Sequence, residues 1–149
     1  MVERKTVRNN IAGEWFTPHV IEPAFGIDRI IWHILDHAYE ETEKEGEKYN
    51  LLSLTESVAP ADLIVLPLFE KDGMGDLAQN IHRDLCGRRN VFSSYDASGS
   101  IGRRYARADE IGVPWCITVD HDSLVDNSVT LRSRDSGEQT RVLISDLPF

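Results

Sequence analysis

Apolar residues recur at helical spacing in one stretch of this chain and in short runs elsewhere. Ile27, Ile30, Ile31, Ile34, Leu35 and Ala38 stand at i, i+3, i+4, i+7, i+8 and i+11, a single stripe along an α-helix. Before it, residues 15–22 form a short β-rich run, and Pro23 and Gly26 mark the turn between strand and helix. Residues 1–14 are polar without a clear period and read as a loop, a strand edge or a cut end. The helical pattern runs out in the acidic stretch around Gly46, and nothing comparable follows before Pro60. A boundary is therefore expected there, with a first unit over 1–50, a linker over 51–60 and a second unit over 61–149.

Beyond Pro60 the pattern alternates. Residues 63–69 predict a buried strand, 75–86 a helix, 90–95 a strand, 101–111 a helix and 115–119 another strand. Residues 129–134 and 140–144 predict two further strands joined around Ser136-Gly137, a hairpin signal. The fold class expected is α/β, with a mixed, mainly parallel sheet flanked by helices.

Composition narrows the possible functions. The longest apolar run, residues 63–69, is too short to cross a bilayer and contains Pro67, so a soluble, cytoplasmic protein with no membrane partner is expected. Cys86 and Cys116 lie too far apart for a CxxC site and are read as reduced, mostly buried thiols. The net charge of −9 argues against a generally basic nucleic-acid binder. The charge is unevenly placed, however: between 83 and 107, Arg83, Arg88, Arg89, Arg103, Arg104 and Arg107 face only Asp84 and Asp96, a local excess suited to phosphate.

Two segments place charge against local preference. Arg29 falls in the first turn of the expected helix, where a cation opposes the macrodipole, and Glu22 closes an apolar strand. The pair suggests a pocket in which Glu22 receives a cationic ligand group and Arg29 an anionic one. In the helix over 101–111 the arginines come first and Asp109 and Glu110 last, again reversed. Ser100 is its expected N-cap and Gly112 its stop. Its arginines either touch RNA phosphate or pair with Asp96, Asp109 or Glu110. His33, Asp36 and His37 at helical spacing, and Asp120-His121-Asp122, have the residue types of metal ligands, but they fit a solvated helix face and a turn, and no metal is assigned. The glycines of residues 71–76 lack the lysine and hydroxyl of a phosphate loop.

Residues 18–29, Pro-His-Val-Ile-Glu-Pro-Ala-Phe-Gly-Ile-Asp-Arg, closely resemble motif 3 of class II glycyl-tRNA synthetases. Residues 100–107, Ser-Ile-Gly-Arg-Arg-Tyr-Ala-Arg, with 109–114 and 118–120, resemble that family's C-terminal anticodon-binding domain, whose entry is matched by 58–60 and 65–68. The resemblance implies a strand-helix remnant of the catalytic domain followed by an anticodon-binding domain. It implies that the full enzyme activates glycine with ATP and Mg²⁺ and transfers glycyl to tRNA(Gly), and that it works as a homodimer. By the same resemblance Glu22, Pro23, Ala24, Phe25 and Gly26 bind glycine. Gly26, Ile27, Asp28 and Arg29 bind ATP, with Arg29 catalytic as it stabilises charge while pyrophosphate leaves. Arg103, Arg104 and Arg107 are the candidate RNA contacts. Ala24 stands where the family usually has serine. Motifs 1 and 2 are not found, so the isolated chain is expected to be inactive. The alternative is a non-catalytic RNA- or protein-binding module derived from such an enzyme.

Overall fold

The computed structural model describes residues 7–8, 15–44 and 47–149. Two short strands, β1 (Val7–Arg8) and β2 (Trp15–Phe16), pair antiparallel. The β-rich run expected over 15–22 is a strand only at its start, and residues 17–26 carry no regular structure. Pro18 and Pro23 account for this, since neither can donate to a ladder. Helix α1 (Ile27–Ala38) follows, as the apolar period predicts. It stops where Tyr39 turns to extended backbone and its N–H bonds the Leu35 carbonyl.

The acidic stretch after α1 is a hairpin rather than a frayed helix end. Strands β3 (Tyr39–Lys44) and β4 (Glu47–Leu52) pair antiparallel from Tyr39↔Leu52 to Lys44↔Glu47. Residues 51–60, expected to be a linker, are tied down in the same way. The buried Arg134 guanidinium donates to the carbonyls of Leu54 and Gly112, each at 2.8 Å, and Trp115 Nε1 donates to Glu56 at 3.0 Å. The bond to Leu54 O fixes backbone that a free connector would leave to water, and the bond to Glu56 anchors the same segment through a side chain.

The remainder builds one five-stranded sheet in the order β6-β5-β7-β8-β9. Strand β5 (Leu63–Pro67) lies between β6 (Ser93–Tyr95) and β7 (Trp115–Val119), parallel to both. Strands β8 (Ser128–Ser133) and β9 (Gln139–Leu143) then run antiparallel beyond β7. The sheet is mixed as expected, parallel across three strands and antiparallel where the hairpin joins. Helix α2 (Met74–Gly87) connects β5 to β6, and α3 (Ile101–Glu110) carries the chain back across β5 to β7. Right-handed crossovers in opposite directions must put the two helices on opposite faces. The cores agree: Leu63, Val65, Ile117 and Val119 meet Met74, Ala78, Ile81 and Leu85 of α2, while Ile64, Leu66 and Cys116 meet Ala108 of α3. Strand β5 is therefore buried on both faces, which is why its apolar run shows no alternation. Burying each such side chain contributes about 1.5–3 kcal/mol.

Helix α3 ends as its sequence predicts. Gly112 takes φ +81°, Val113 N–H bonds Ala108 O at 2.9 Å and Gly112 N–H bonds Asp109 O at 3.2 Å, a Schellman closure. At the other end Ser100 occupies the N-cap position, but its hydroxyl makes no capping bond.

Candidate functional site

Glu22, Pro23, Ala24, Phe25, Gly26, Ile27, Asp28 and Arg29 all lie exposed. Phe25, Gly26, Ile27, Asp28, Arg29 and Trp32 line an open concavity of about 850 Å³ at the start of α1. The structure thus brings together the residues expected to meet ATP, while Glu22, Pro23 and Ala24 do not line that hollow. Gly26 is the N-cap of α1 without a side-chain capping bond, and its carbonyl accepts from Ile30 N–H at 3.0 Å. Asp28 in the first turn complements the helix dipole that Arg29 opposes.

The three candidate RNA arginines divide sharply. Arg104 is only 4% exposed, and its guanidinium donates to Pro67 O and, at 2.6 Å, to Gly99 O. It clips α3 to the end of β5, and a buried side chain committed to backbone carbonyls is not presented to phosphate. Arg107 is half-buried and donates from Nε to Asp96 at 3.0 Å and from Nη2 to Ser98 O at 2.6 Å. Asp96 feels burial pushing its pKa up, but the Ser98 N–H and the Arg107 guanidinium outweigh it and hold the carboxyl below the ordinary value. Arg107 therefore follows the ion-pair alternative. Arg103 alone of the three is exposed.

Arg103 opens onto a recess of about 480 Å³ between the β3–β4 hairpin, α3 and the β8–β9 turn, shared with Lys48, Tyr49, Tyr105 and Arg132. A buried network forms its floor. Arg132 grips Asp109 through two bonds of 2.9 and 2.8 Å and lies 4.9 Å over the Tyr105 ring. Tyr49 donates its hydroxyl to Asp109, so the hairpin is bound to α3 at this point. Sequence reasoning missed Lys48, Tyr49 and Arg132, because nothing local says that an acidic stretch will fold back over α3. The available signal was tyrosine and threonine at 39, 42 and 49 around a Glu45-Gly46 pair, although residues 45 and 46 themselves fall outside the described residues.

A second surface feature sits at the C-terminal ends of β5 and β7, where parallel sheets commonly present ligand sites. Phe69 is 55% exposed, and its ring lies 6.3 Å from that of His121. The triplet at 120–122 is here a turn: Asp120 accepts from Ser123 and pairs with Arg141 at 2.6 Å. Burial raises the Asp120 pKa, yet Arg141 and Ser123 together hold it below the ordinary value. His33 and His37 are exposed on α1 with ring centres 6.3 Å apart, and Asp36 is exposed beside them. Cys116 is buried as expected, but Cys86 is exposed.

Comparison with known proteins agrees with this geometry. Residues 62–148 match the family model described as anticodon binding domain. The chain is 51% identical over 147 residues to the glycine–tRNA ligase of Methanocaldococcus jannaschii, covering 98% of this chain and 24% of that one. It is 48% identical over 145 residues to the glycine–tRNA ligase of Rhodopirellula baltica, covering 94% and 27%. Among solved structures, the RNA binding domain of threonyl-tRNA synthetase from Cryptosporidium parvum superposes with a TM-score of 0.57 at 27% identity, covering 64% of this chain and 24% of that one. The chain spans about a quarter of the length of the curated relatives it matches. It belongs to the anticodon-binding-domain family, in a form similar to that of glycine–tRNA ligases.

Proposed function

We propose that this chain supplies the tRNA(Gly)-binding part of a cytoplasmic glycine–tRNA ligase together with one wall of its active site. The observation that carries the reading is the anticodon-binding fold over 62–148 with Arg103 and Lys48 turned to solvent at one recess. Arg103 and Lys48 offer cations to phosphate, and the exposed Phe69 ring offers a face on which an unpaired base stacks. Arg104 and Arg107 act beneath them as positioning residues, fixing α3 against β5 and the loop at 96–100.

At the start of α1, Arg29 stands free to take an anionic group and Gly26 leaves room for close approach. In the complete ligase, a homodimer by this reading, Glu22 would hold the glycine ammonium and Arg29 a phosphate of ATP. In the complete ligase Mg²⁺ would accompany ATP, held mainly by its phosphates, and would neutralise part of their charge. Glycyl transfer is the work of the whole ligase. The isolated chain is expected to be inactive, and glycine-dependent pyrophosphate exchange catalysed by it alone would overturn that.

The test of RNA binding is the affinity for tRNA(Gly) across salt concentrations. Arg103→Ala is expected to weaken binding and reduce the salt slope by about one, with the fold unchanged. An unaltered slope removes Arg103 as a phosphate contact. A second reading, a non-catalytic binding module, is favoured by one observation: Glu22 does not line the hollow that Arg29 lines. Assembly with the remainder of a related glycine–tRNA ligase separates the two, since only the first reading expects that assembly to activate glycine.

A further inference from the structure

We infer that a hollow at the N-terminal ends of the parallel strands is a binding site for an alkyl guanidinium, with Trp115 and Phe149 meeting its flat face and Glu56 and Asp62 its charge. The hollow lies beside Leu63 and Trp115, the first residues of β5 and β7. It holds about 390 Å³, and Glu56, Asp62, Asn90, Pro114, Trp115 and Phe149 are among its lining residues. That volume falls within the roughly 300–1,000 Å³ of small-ligand pockets. Phe69 and His121 stand at the opposite ends of the same strands, so this site is separate from the surfaces assigned to RNA.

The walls are aromatic and acidic, and each is fixed in place. Trp115 and Phe149 are half-buried, with ring centres 6.4 Å apart and planes at 65°. An edge-on pair covers the face of at most one ring and leaves the other to a ligand. Glu56 Oε1 accepts from Trp115 Nε1 at 3.0 Å, and Asp62 Oδ2 accepts from Phe92 N–H at 2.7 Å. Each carboxylate thus keeps a second oxygen, and among the described residues neither is in an ion pair. No lysine, arginine or histidine lines the hollow among the described residues. Arg88, which donates to Phe149 O at 2.5 Å, is already paired with Asp84 at 2.8 Å.

This lining selects the class of ligand. Two carboxylates without a cation of their own call for positive charge, and the net charge of −9 draws cations to the chain as a whole. Aromatic and proline walls give a metal ion no donors, whereas they cover the apolar stem and planar head of an organic cation. A guanidinium suits them better than an ammonium. It is planar and weakly hydrated, stacks on an aromatic face, and turns its N–H edge to a carboxylate at the same time. The Glu56 carboxylate is held at the edge of the Trp115 indole by their hydrogen bond, the relation that such a group needs.

The test is an NMR titration of the full 149-residue chain that follows the indole N–H signal of Trp115, one of three tryptophans, assigned by its loss in Trp115→Phe. Butylguanidinium and N-acetylarginine methylamide are the probes, the first standing for a free guanidine and the second for an arginine side chain on a peptide. A saturable shift at millimolar concentration is expected. The tighter binder of the two names the source. N-acetylcitrulline methylamide, which has the shape without the charge, should give no such shift, and butylammonium should bind more weakly than butylguanidinium. Glu56→Gln and Asp62→Asn each keep the carbonyl that accepts the present hydrogen bond, so the fold is preserved, and each should weaken binding about tenfold. No saturable shift with either guanidinium, or an equal one with the citrulline compound, overturns the site. Affinity unchanged in both variants overturns the part given to the carboxylates, and butylammonium binding as tightly as butylguanidinium overturns the choice of guanidinium.

Discussion

Helix α1 and helix α2 carry the same kind of sequence signal and meet opposite fates. Both are amphipathic, with apolar residues spaced for one face. In α2 that face is buried: Met74 and Ala78 are fully covered, and Ile81 and Leu85 nearly so. In α1 the matching residues remain in solvent, with Ile27 69%, Ile31 50% and Leu35 40% exposed, and only Ala38 is buried. Amphipathicity states that a helix is made to be covered, and it does not state by what. The strands that cover α2 are β5 and β7 of the same domain, whereas the described residues offer α1 little beyond its contact with the start of the hairpin.

The largest blow to the domain half of this comparison falls on its buried ion pair. Asp109→Ala leaves the Arg132 guanidinium buried without its carboxylate and removes the acceptor of the Tyr49 hydroxyl's bond to α3. We expect a loss of about 3–5 kcal/mol in urea unfolding. A loss below about 1 kcal/mol would mean that the network is an ornament on a core stable without it.

Matched truncations come next. Leu85→Ala should cost about 2–5 kcal/mol, because it opens a cavity beneath α2. Ile31→Ala in α1 should change the stability of the domain by no more than about 0.5 kcal/mol. Equal effects on the same unfolding transition would show that α1 is covered in solution, and the contrast between the helices would fall.

A smaller effect is expected at the end of α3. Gly112→Ala puts a side chain where φ is +81° and where its Cβ would meet Leu54 Cδ1 at 2.7 Å and Leu52 O at 3.1 Å. About 1–3 kcal/mol should be lost. Gly102→Ala, with open space around its Cβ, serves as the control and should be neutral or slightly stabilising.

The smallest effect is electrostatic. Asp96, Asp120 and Asp126 all have folded pKa values held below the ordinary 3.8. The stability they contribute is fully present above the unfolded value and is lost as pH falls from there through their lower folded values. Stability of the domain should therefore decline below about pH 4, and Asp96→Asn should make that decline shallower. A decline of the same steepness in both proteins would remove Asp96 from the acid response.

Much of the domain was legible because its signals were local. The apolar run at 63–69 could be little other than a buried strand, and Gly112 and Ser136-Gly137 punctuated α3 and the last hairpin as glycine does. The β3–β4 hairpin was not legible. Glu40, Glu41, Glu43 and Lys48 are poor strand formers, and the pair is held by docking on α3 through Tyr49 and by the clasp of Ser53 N–H on Ala38 O at 2.7 Å. Those partners lie up to 60 positions away, beyond any periodicity window. The arginines show the same limit at the candidate site. Sequence marks Arg103, Arg104 and Arg107 alike as cations, while the fold spends Arg104 on carbonyls, pairs Arg107 and exposes Arg103. Charge says that a residue seeks a partner, and only packing says whether that partner is inside the protein.

The fastening of residues 51–59 has a mechanical meaning. Arg134 grips Leu54 O and Gly112 O with one guanidinium, and Glu56 holds Trp115. The chain between α1 and the sheet therefore contains little slack, and the hairpin serves as a strut rather than a tether. A load applied at Arg29 would travel along α1 into β4 and arrive at Asp109 on α3 and at Gly112 just past its end as displacement. Flexible tethers dissipate such a load, whereas a strut passes it from one end of the molecule to the other.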